Sequence, residues 1–420
     1  MTKREFLKST LAGSALFIPE WSRIETLISP YMGLSVEEIS REEGFWKEIR
    51  KGYKLNKDFV NLENGYYCII PQNTLNALIS HAGEVNYLGS YYMRNNQFEN
   101  KKKAAAELAE IAGCGQDEII ITRNTTESLD TIISGINWKE GDEAIMAEQD
   151  YGSMLNQFKL MAKTKKIVNK VISVPHHPQS DEEIVRMYAE QITDKTRLIM
   201  ISHMINITGH ILPVRKICDM AHQKGVEVLV DGAHAFAHIN FSIPDLHCDY
   251  YGASLHKWLS TPLGAGILYV RKEKIKNITP LFAPWVDNEN DIAKLNHTGT
   301  HPVYTDLTIS NAIKNYLAIG RDRKEARLRY LQQYWTSQLR PLPNIIINTP
   351  AEPEKSCAIA NVGVRGKSPG EVAKVLMEKY KIWTVPIDGV GVFGCRITPN
   401  VYTSIQELDL FIKAMKEIAK

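Results

Sequence analysis

Two charged side chains stand where strand-like apolar runs give way to polar residues. Val226-Glu-Val-Leu-Val ends in Asp231, followed by Gly-Ala-His234; Tyr251-Gly-Ala-Ser254-Leu-His256 ends in Lys257, followed by Trp258-Leu-Ser-Thr-Pro-Leu-Gly-Ala-Gly. An acid at one strand end and an amine at the next can meet in one cleft. The amine can form a Schiff base with an aldehyde, and the carboxylate can keep a pyridine nitrogen protonated so that the ring draws electrons from a bound substrate. Those are the two groups that pyridoxal 5'-phosphate requires. Taken singly, each residue has a plainer use: a turn acid, and a lysine whose stem covers apolar surface.

Three further strand ends change from apolar to polar in the same way. Ile121-Thr-Arg-Asn124-Thr125-Thr126 runs into a helix, where first-turn amides and threonine hydroxyls suit a phosphate, although Asn and Thr are also ordinary N-caps. Glu148-Gln-Asp150-Tyr151-Gly brings an aromatic ring that can stack on a flat cofactor or pack at the surface. Ile201-Ser202-His203-Met-Ile-Asn206 places an imidazole and an amide beyond a fully apolar strand.

The elements that must position these residues alternate along the chain. Strands are expected at 118–122, 143–147, 167–174, 197–202, 226–230, 249–252 and 266–270, with helices at 125–136, 154–164, 181–192 and 213–224 between them. This pattern implies an α/β fold with a mostly parallel sheet covered on both faces, whose ligands sit beyond the strand carboxyl ends. Upstream, Leu34 to Tyr53 reads as a helix with Ser35 and Glu38 as a capping box, and Glu99 to Gly113 as a second one. Residues 277–302 read as a loop, 306–339 as helical, and a smaller α+β segment begins at Ile345.

The totals exclude several classes of function. Fifty basic and 48 acidic residues in 420 leave a net charge of +2, so no whole-chain footprint for nucleic acid is present. The six cysteines show neither CxxC nor finger spacing, so no metal site and no disulfide framework is expected. No GxGxxG or GxxxxGK follows a strand. Lys3-Arg4-Glu-Phe6-Leu7-Lys8, followed by Leu11-Ala-Gly-Ser-Ala-Leu-Phe-Ile18, resembles a twin-arginine-like signal with Lys3 in place of the first arginine, which implies export to the periplasm. The alternative is an amphipathic first helix and a cytoplasmic protein. No segment approaches the roughly 20 apolar residues of a membrane span.

Through Asp231-Gly-Ala-His234 and Ser254-Leu-His-Lys257, the chain resembles the class V aminotransferases of pyridoxal-phosphate fold-type I, in the branch of the isopenicillin N epimerase-like and cysteine desulfurase-like enzymes. The resemblance covers residue 60 to the C-terminus. With the signal-like stretch taken as a leader over 1–30, it implies an N-terminal segment over 31–75, a large cofactor-binding domain over 76–290 with a mostly parallel seven-stranded sheet, and a smaller C-terminal α+β domain over 291–420. It implies that Lys257 holds the cofactor as a Schiff base and that Asp231 binds the pyridine nitrogen. Asn124, Thr125, Thr126, Ser254 and His256 would surround the phosphate, with Tyr151 stacked on the ring. His234 stands where relatives often have Gln, near the phenolic oxygen, and Asn206 and His203 would face the substrate. His297-Thr-Gly299-Thr300-His-Pro302 resembles the segment that reaches the neighbouring subunit's phosphate, which implies a homodimer in which Thr300 serves the partner's site. Gly394-Cys395-Arg396 resembles the strand whose arginine takes the substrate carboxylate.

The reaction is bounded by one missing residue. Desulfurases of this branch carry a nucleophilic cysteine on the loop before that arginine, and Thr384-Val-Pro-Ile-Asp-Gly-Val-Gly-Val-Phe393 contains none. Cys395 adjoins Arg396 on a strand, so the two side chains should point to opposite faces. The expected activity is therefore conversion of an amino acid with Lys257 as the acid-base group, as an aminotransferase or an epimerase. In the epimerase case Tyr151 or His203 would act as the second acid. The alternatives are a C–S lyase or desulfurase-like enzyme and a non-catalytic protein of the same fold.

Overall fold

Strands built from continuous apolar runs must be covered on both faces, and this requirement organises the molecule. The computed structural model describes residue 26, residues 29–31 and residues 33–420; the signal-like stretch at the N-terminus lies outside the described residues. The strands are β1 (Val60–Asn61), β2 (Ile119–Thr122), β3 (Glu143–Ala147), β4 (Val168–Ile172), β5 (Thr196–Ser202), β6 (Glu227–Asp231), β7 (Tyr250–Ser254), β8 (Gly266–Val270), β9 (Ile345–Ile347), β10 (Ala360–Val364), β11 (Ile382–Trp383), β12 (Val385–Gly389) and β13 (Val392–Ile397).

Seven of them form one sheet in the order β2-β8-β7-β6-β5-β3-β4. The five strands from β7 to β4 run parallel, and β8 is antiparallel to both of its neighbours. Strands β2, β3, β7 and β8 are buried throughout, whereas β4, at the edge, is largely open. One apolar core, with Ile145, Ile199, Ile201, Val228, Val230 and Trp258, lies on one face of the sheet. A second, with Leu129, Ile132, Met146, Phe158, Met200 and Leu229, lies on the other. Strand neighbours such as Ile199 and Met200 thus serve opposite layers, as the pleat dictates.

A four-stranded antiparallel sheet, β12-β13-β10-β9, forms the C-terminal layer around Leu331, Trp335, Leu376 and Phe411. The chain's early residues join this layer. β1 pairs in parallel with β11, Glu63 bridges to Thr398, and the Asn64 and Gly65 amides both donate to the Thr398 hydroxyl.

The Ser35–Glu38 capping box forms as expected, but the single helix expected over 34–53 is two, Val36–Arg41 and Glu43–Arg50. Glu42 breaks it by leaving the helical region (φ −79°, ψ 90°) and turning its carboxylate onto the Gly44 amide. The helical stretch expected over 306–339 is likewise divided into Val303–Ile319 and Arg321–Leu339 at Gly320, whose φ of 92° suits glycine.

Candidate active site

The carboxyl ends of β2, β5, β6 and β7 open onto one cavity of about 360 Å³, lined among others by Asn124, Thr125, Thr126, Tyr151, Asn206, Asp231, His234, Ser254, His256, Lys257 and Arg396. Residues from the first fifth of the chain to its last thirty are thereby brought together. Of the residues singled out from the sequence, His203 and Thr300 stand apart from it.

Asp231 is the last residue of β6 and is buried. One carboxylate oxygen accepts the Ala233 amide at 3.0 Å. Burial raises its pKa, and the Ala233 amide and the Lys257 charge oppose that rise. A protonated pyridine nitrogen is the kind of donor that would hold such a group ionised.

Lys257 follows β7 after Leu255 and His256, and its amine lies 3.0 Å from Nε2 of His234. Burial lowers its pKa to about 8, against the opposing pull of Asp231. A sizeable fraction of the amine is therefore neutral near physiological pH, as a nucleophile or base requires. His234 is held well below the usual imidazole range, first by burial and then by the Lys257 charge, so its ring is neutral.

The turn that carries His234 is clamped from behind. The Ala358 amide donates to Nε2 of His238 at 2.9 Å, which leaves Nδ1 to donate to the His234 carbonyl at 2.7 Å. The His238 ring stacks on Trp258, the residue after Lys257, with centroids 3.6 Å apart. The ammonium of buried Lys324 donates to the Trp258 carbonyl. Each residue of the Lys257–His234 pair thus has a neighbour fixed by a buried polar contact.

The opposite wall is the N-terminus of the helix Thr125–Gly135. Asn124 caps it by accepting the Glu127 amide at 2.9 Å. The Ser254 hydroxyl accepts the Thr125 amide at 2.9 Å and lies 2.7 Å from the Thr125 hydroxyl, tying the helix start to the end of β7. This close approach needs Gly266 on β8, because a Cβ there would lie 2.7 Å from the Asn124 backbone. Hydroxyls, His256 and the positive helix end form a cradle fit for a phosphate. The donor set as a whole matches pyridoxal phosphate: an amine for its aldehyde, a buried acid for its ring nitrogen, and this cradle for its phosphate.

Tyr151, the N-cap residue of the helix Gly152–Lys165, is 45% exposed at the cavity wall. His203 is buried instead against Phe241, with ring centroids 4.6 Å apart, and desolvation pushes it down to about 3. It packs behind the site as a neutral ring. Thr300 lies in the exposed stretch after His297.

Three residues with no motif of their own complete the site: Gly65 and Tyr66, which line the cavity, and Glu63 behind them. Arg396 donates from Nε and Nη2 to Glu63 at 3.0 and 2.6 Å, and from Nη1 to the Asn206 carbonyl at 3.1 Å. The available signal was an acid inside the apolar run Phe59 to Pro71, since a charge there needs a buried partner. Cys395 points the other way, as strand alternation requires: its thiol meets the Pro369 carbonyl, and burial raises its pKa to about 11. None of the six cysteines lines the cavity.

Comparisons with known proteins give the family and the fold. The family model for "Aminotransferase class-V" matches residues 70–385. The chain is 22% identical to the isopenicillin N epimerase of Streptomyces clavuligerus over 387 residues, covering 88% of this chain and 97% of that one. It is 25% identical to a cysteine desulfurase of Salmonella newport, over 76% of this chain and 82% of that one. In fold it resembles the apo cysteine desulfurase of Thermococcus onnurineus NA1, with a TM-score of 0.79, 21% identity, and coverage of 89% and 98%.

Proposed function

Since the chain belongs to the aminotransferase class-V family of pyridoxal-phosphate enzymes, we propose that it converts an amino acid by proton transfer at the α-carbon, as an aminotransferase or an epimerase. The observation that carries this reading is the meeting of Lys257, Asp231 and Arg396 in one cavity to which no cysteine contributes. When bound, pyridoxal phosphate supplies the electron sink that acidifies the α-C–H bond. Asp231 is the residue to hold its ring nitrogen, Lys257 its aldehyde, and Thr125, Thr126, Ser254 and His256 its phosphate.

The chain's own residues account for the rest. Arg396 orients the substrate carboxylate. Lys257, with its pKa of about 8, takes up and returns the proton while His234 holds the amine. Tyr151 is the residue available to supply a proton from another direction, as inversion requires.

The test is incubation with L- and D-amino acids, followed by assays for keto acid, stereoinversion and sulfide. Keto acid or inversion is expected, with no sulfide from L-cysteine. Sulfide release would replace this reading with the second one, C–S bond cleavage, which the desulfurase relative favours. If inversion is found, Tyr151→Phe should suppress it by about a hundredfold, with exchange of the α-hydrogen for solvent deuterium retained.

A homodimer belongs to the same proposal. Ile79, Tyr91, Phe98, Leu281, Phe282 and Trp285 expose large apolar surfaces, which a second copy would cover, and Thr300 would then reach the partner's phosphate cradle. Light scattering should give twice the chain mass, and a monomeric mass for the active protein would refute this.

A further inference from the structure

Arg396, the residue assigned above to the substrate carboxylate, already has a carboxylate. Glu63 binds its Nε–Nη2 edge with both oxygens, and Oε1 of Glu63 also accepts the Tyr66 amide at 2.9 Å. The two side chains are 8% and 4% exposed. Arg396, Gly65, Tyr66 and Asn206 line the cavity, but Glu63 does not, so it grips the guanidinium from behind. Gly65 packs on the flat face of the guanidinium, where a Cβ would lie 3.0 Å from Cζ.

Displacing Glu63 would strand a buried carboxylate, and a single substrate contact does not return that cost. A substrate carboxylate must therefore join the pair as a third member. It meets the Nη1–Nη2 end of a guanidinium whose charge is already offset and whose Nη1 also donates to the Asn206 carbonyl, and it is repelled by Glu63. The other arginine lining the cavity, Arg123, is also paired, through Nε and Nη2 to Glu127 at 3.1 Å, but in a solvent-screened i,i+4 pair whose arginine is 55% exposed. Among the described residues, each arginine lining the cavity thus meets a substrate anion with its charge already partly offset.

We infer that Glu63 is a specificity-determining residue: by occupying one edge of Arg396 and cancelling its charge, it limits the enzyme to amino acids that bring one carboxylate and an uncharged side chain. This rests on the reading of the cavity as an amino-acid site.

The test is titration of the cofactor-loaded protein with L-alanine, L-alaninamide and L-aspartate, following the visible absorption of the cofactor. In the unaltered protein L-alanine should bind more tightly than L-aspartate, and replacing its carboxylate by the amide should weaken binding by less than about tenfold, as expected for a neutralised arginine. In Glu63→Gln the apparent Kd for L-aspartate should fall by about tenfold, and that for L-alanine by less, since one of two repelling charges is gone. Unchanged or weaker L-aspartate binding by a Glu63→Gln protein that still responds to L-alanine would overturn the role of Glu63 alone. So would a loss of a hundredfold or more with L-alaninamide, which needs no variant. A protein without cofactor absorption, or one responding to no amino acid, would overturn this role together with the reading of the site.

Discussion

The amine of Lys257 and Nε2 of His234 lie 3.0 Å apart, the one on the segment after β7 and the other on the turn after β6. With the imidazole held neutral by burial, this contact fixes the direction of the amine without adding a competing charge. His234→Ala should lower kcat by about tenfold, through loss of orientation, and His234→Gln, whose amide can still hydrogen-bond, should recover most of it. Steady-state kinetics decide the matter, and equal losses in the two variants would contradict it.

Lys257 should also set a pH dependence. Only the neutral amine attacks an aldehyde, and its fraction grows as pH rises through about 8. Capture of pyridoxal phosphate by the apoprotein should therefore accelerate from pH 7 to pH 9 and then level off. Asp231 pulls this pKa upward, so Asp231→Asn should move the midpoint to lower pH. Stopped-flow absorbance over this range measures both, and a midpoint near the ordinary lysine value would refute the assignment.

Gly65 offers a test of the arginine's position that leaves its charge untouched. In Gly65→Ala the new methyl would lie 3.0 Å from Cζ and 3.1 Å from Nη2 of Arg396, so the guanidinium must shift. KM for an amino acid should rise by about tenfold, with a smaller change in kcat, because the contact is made equally in ground and transition states.

His238 supports the site through the backbone. His238→Phe can keep the stack on Trp258, but it leaves the Ala358 amide and the His234 carbonyl without their buried partner. A loss of about 2 kcal/mol or more in stability is expected. The urea midpoint should fall accordingly, and His238→Gln should lose less.

The legible parts of the molecule were those fixed by local rules. β3 and β8 lie where their apolar runs place them, because flanking turns bound them on both sides. Asp231 and Lys257 were readable because a charge that ends an apolar strand needs a reason. Glu42 and Gly320 show the limit: helix propensity runs through both positions, and only a capping carboxylate in one case and a left-handed glycine in the other divides the helices. The inward turn of His203 is illegible for a different reason. Its position beyond β5 leaves open which way the ring turns, and packing against Phe241 and Tyr251 turns it inward. Glu63 was missed because its partner lies more than three hundred residues away, and no periodicity announces so distant an ion pair.

The pairing of β1 with β11, and of Glu63 with Thr398, gives the carboxylate site a mechanical identity. Glu63 and Gly65 are zipped onto the strand system that carries Arg396, whereas Lys257 and Asp231 belong to the seven-stranded sheet. The Nη1 bond of Arg396 to the Asn206 carbonyl, on the segment after β5, holds that unit against the seven-stranded sheet, so the arginine, its counter-ion and its glycine seat act as a keystone between the two layers.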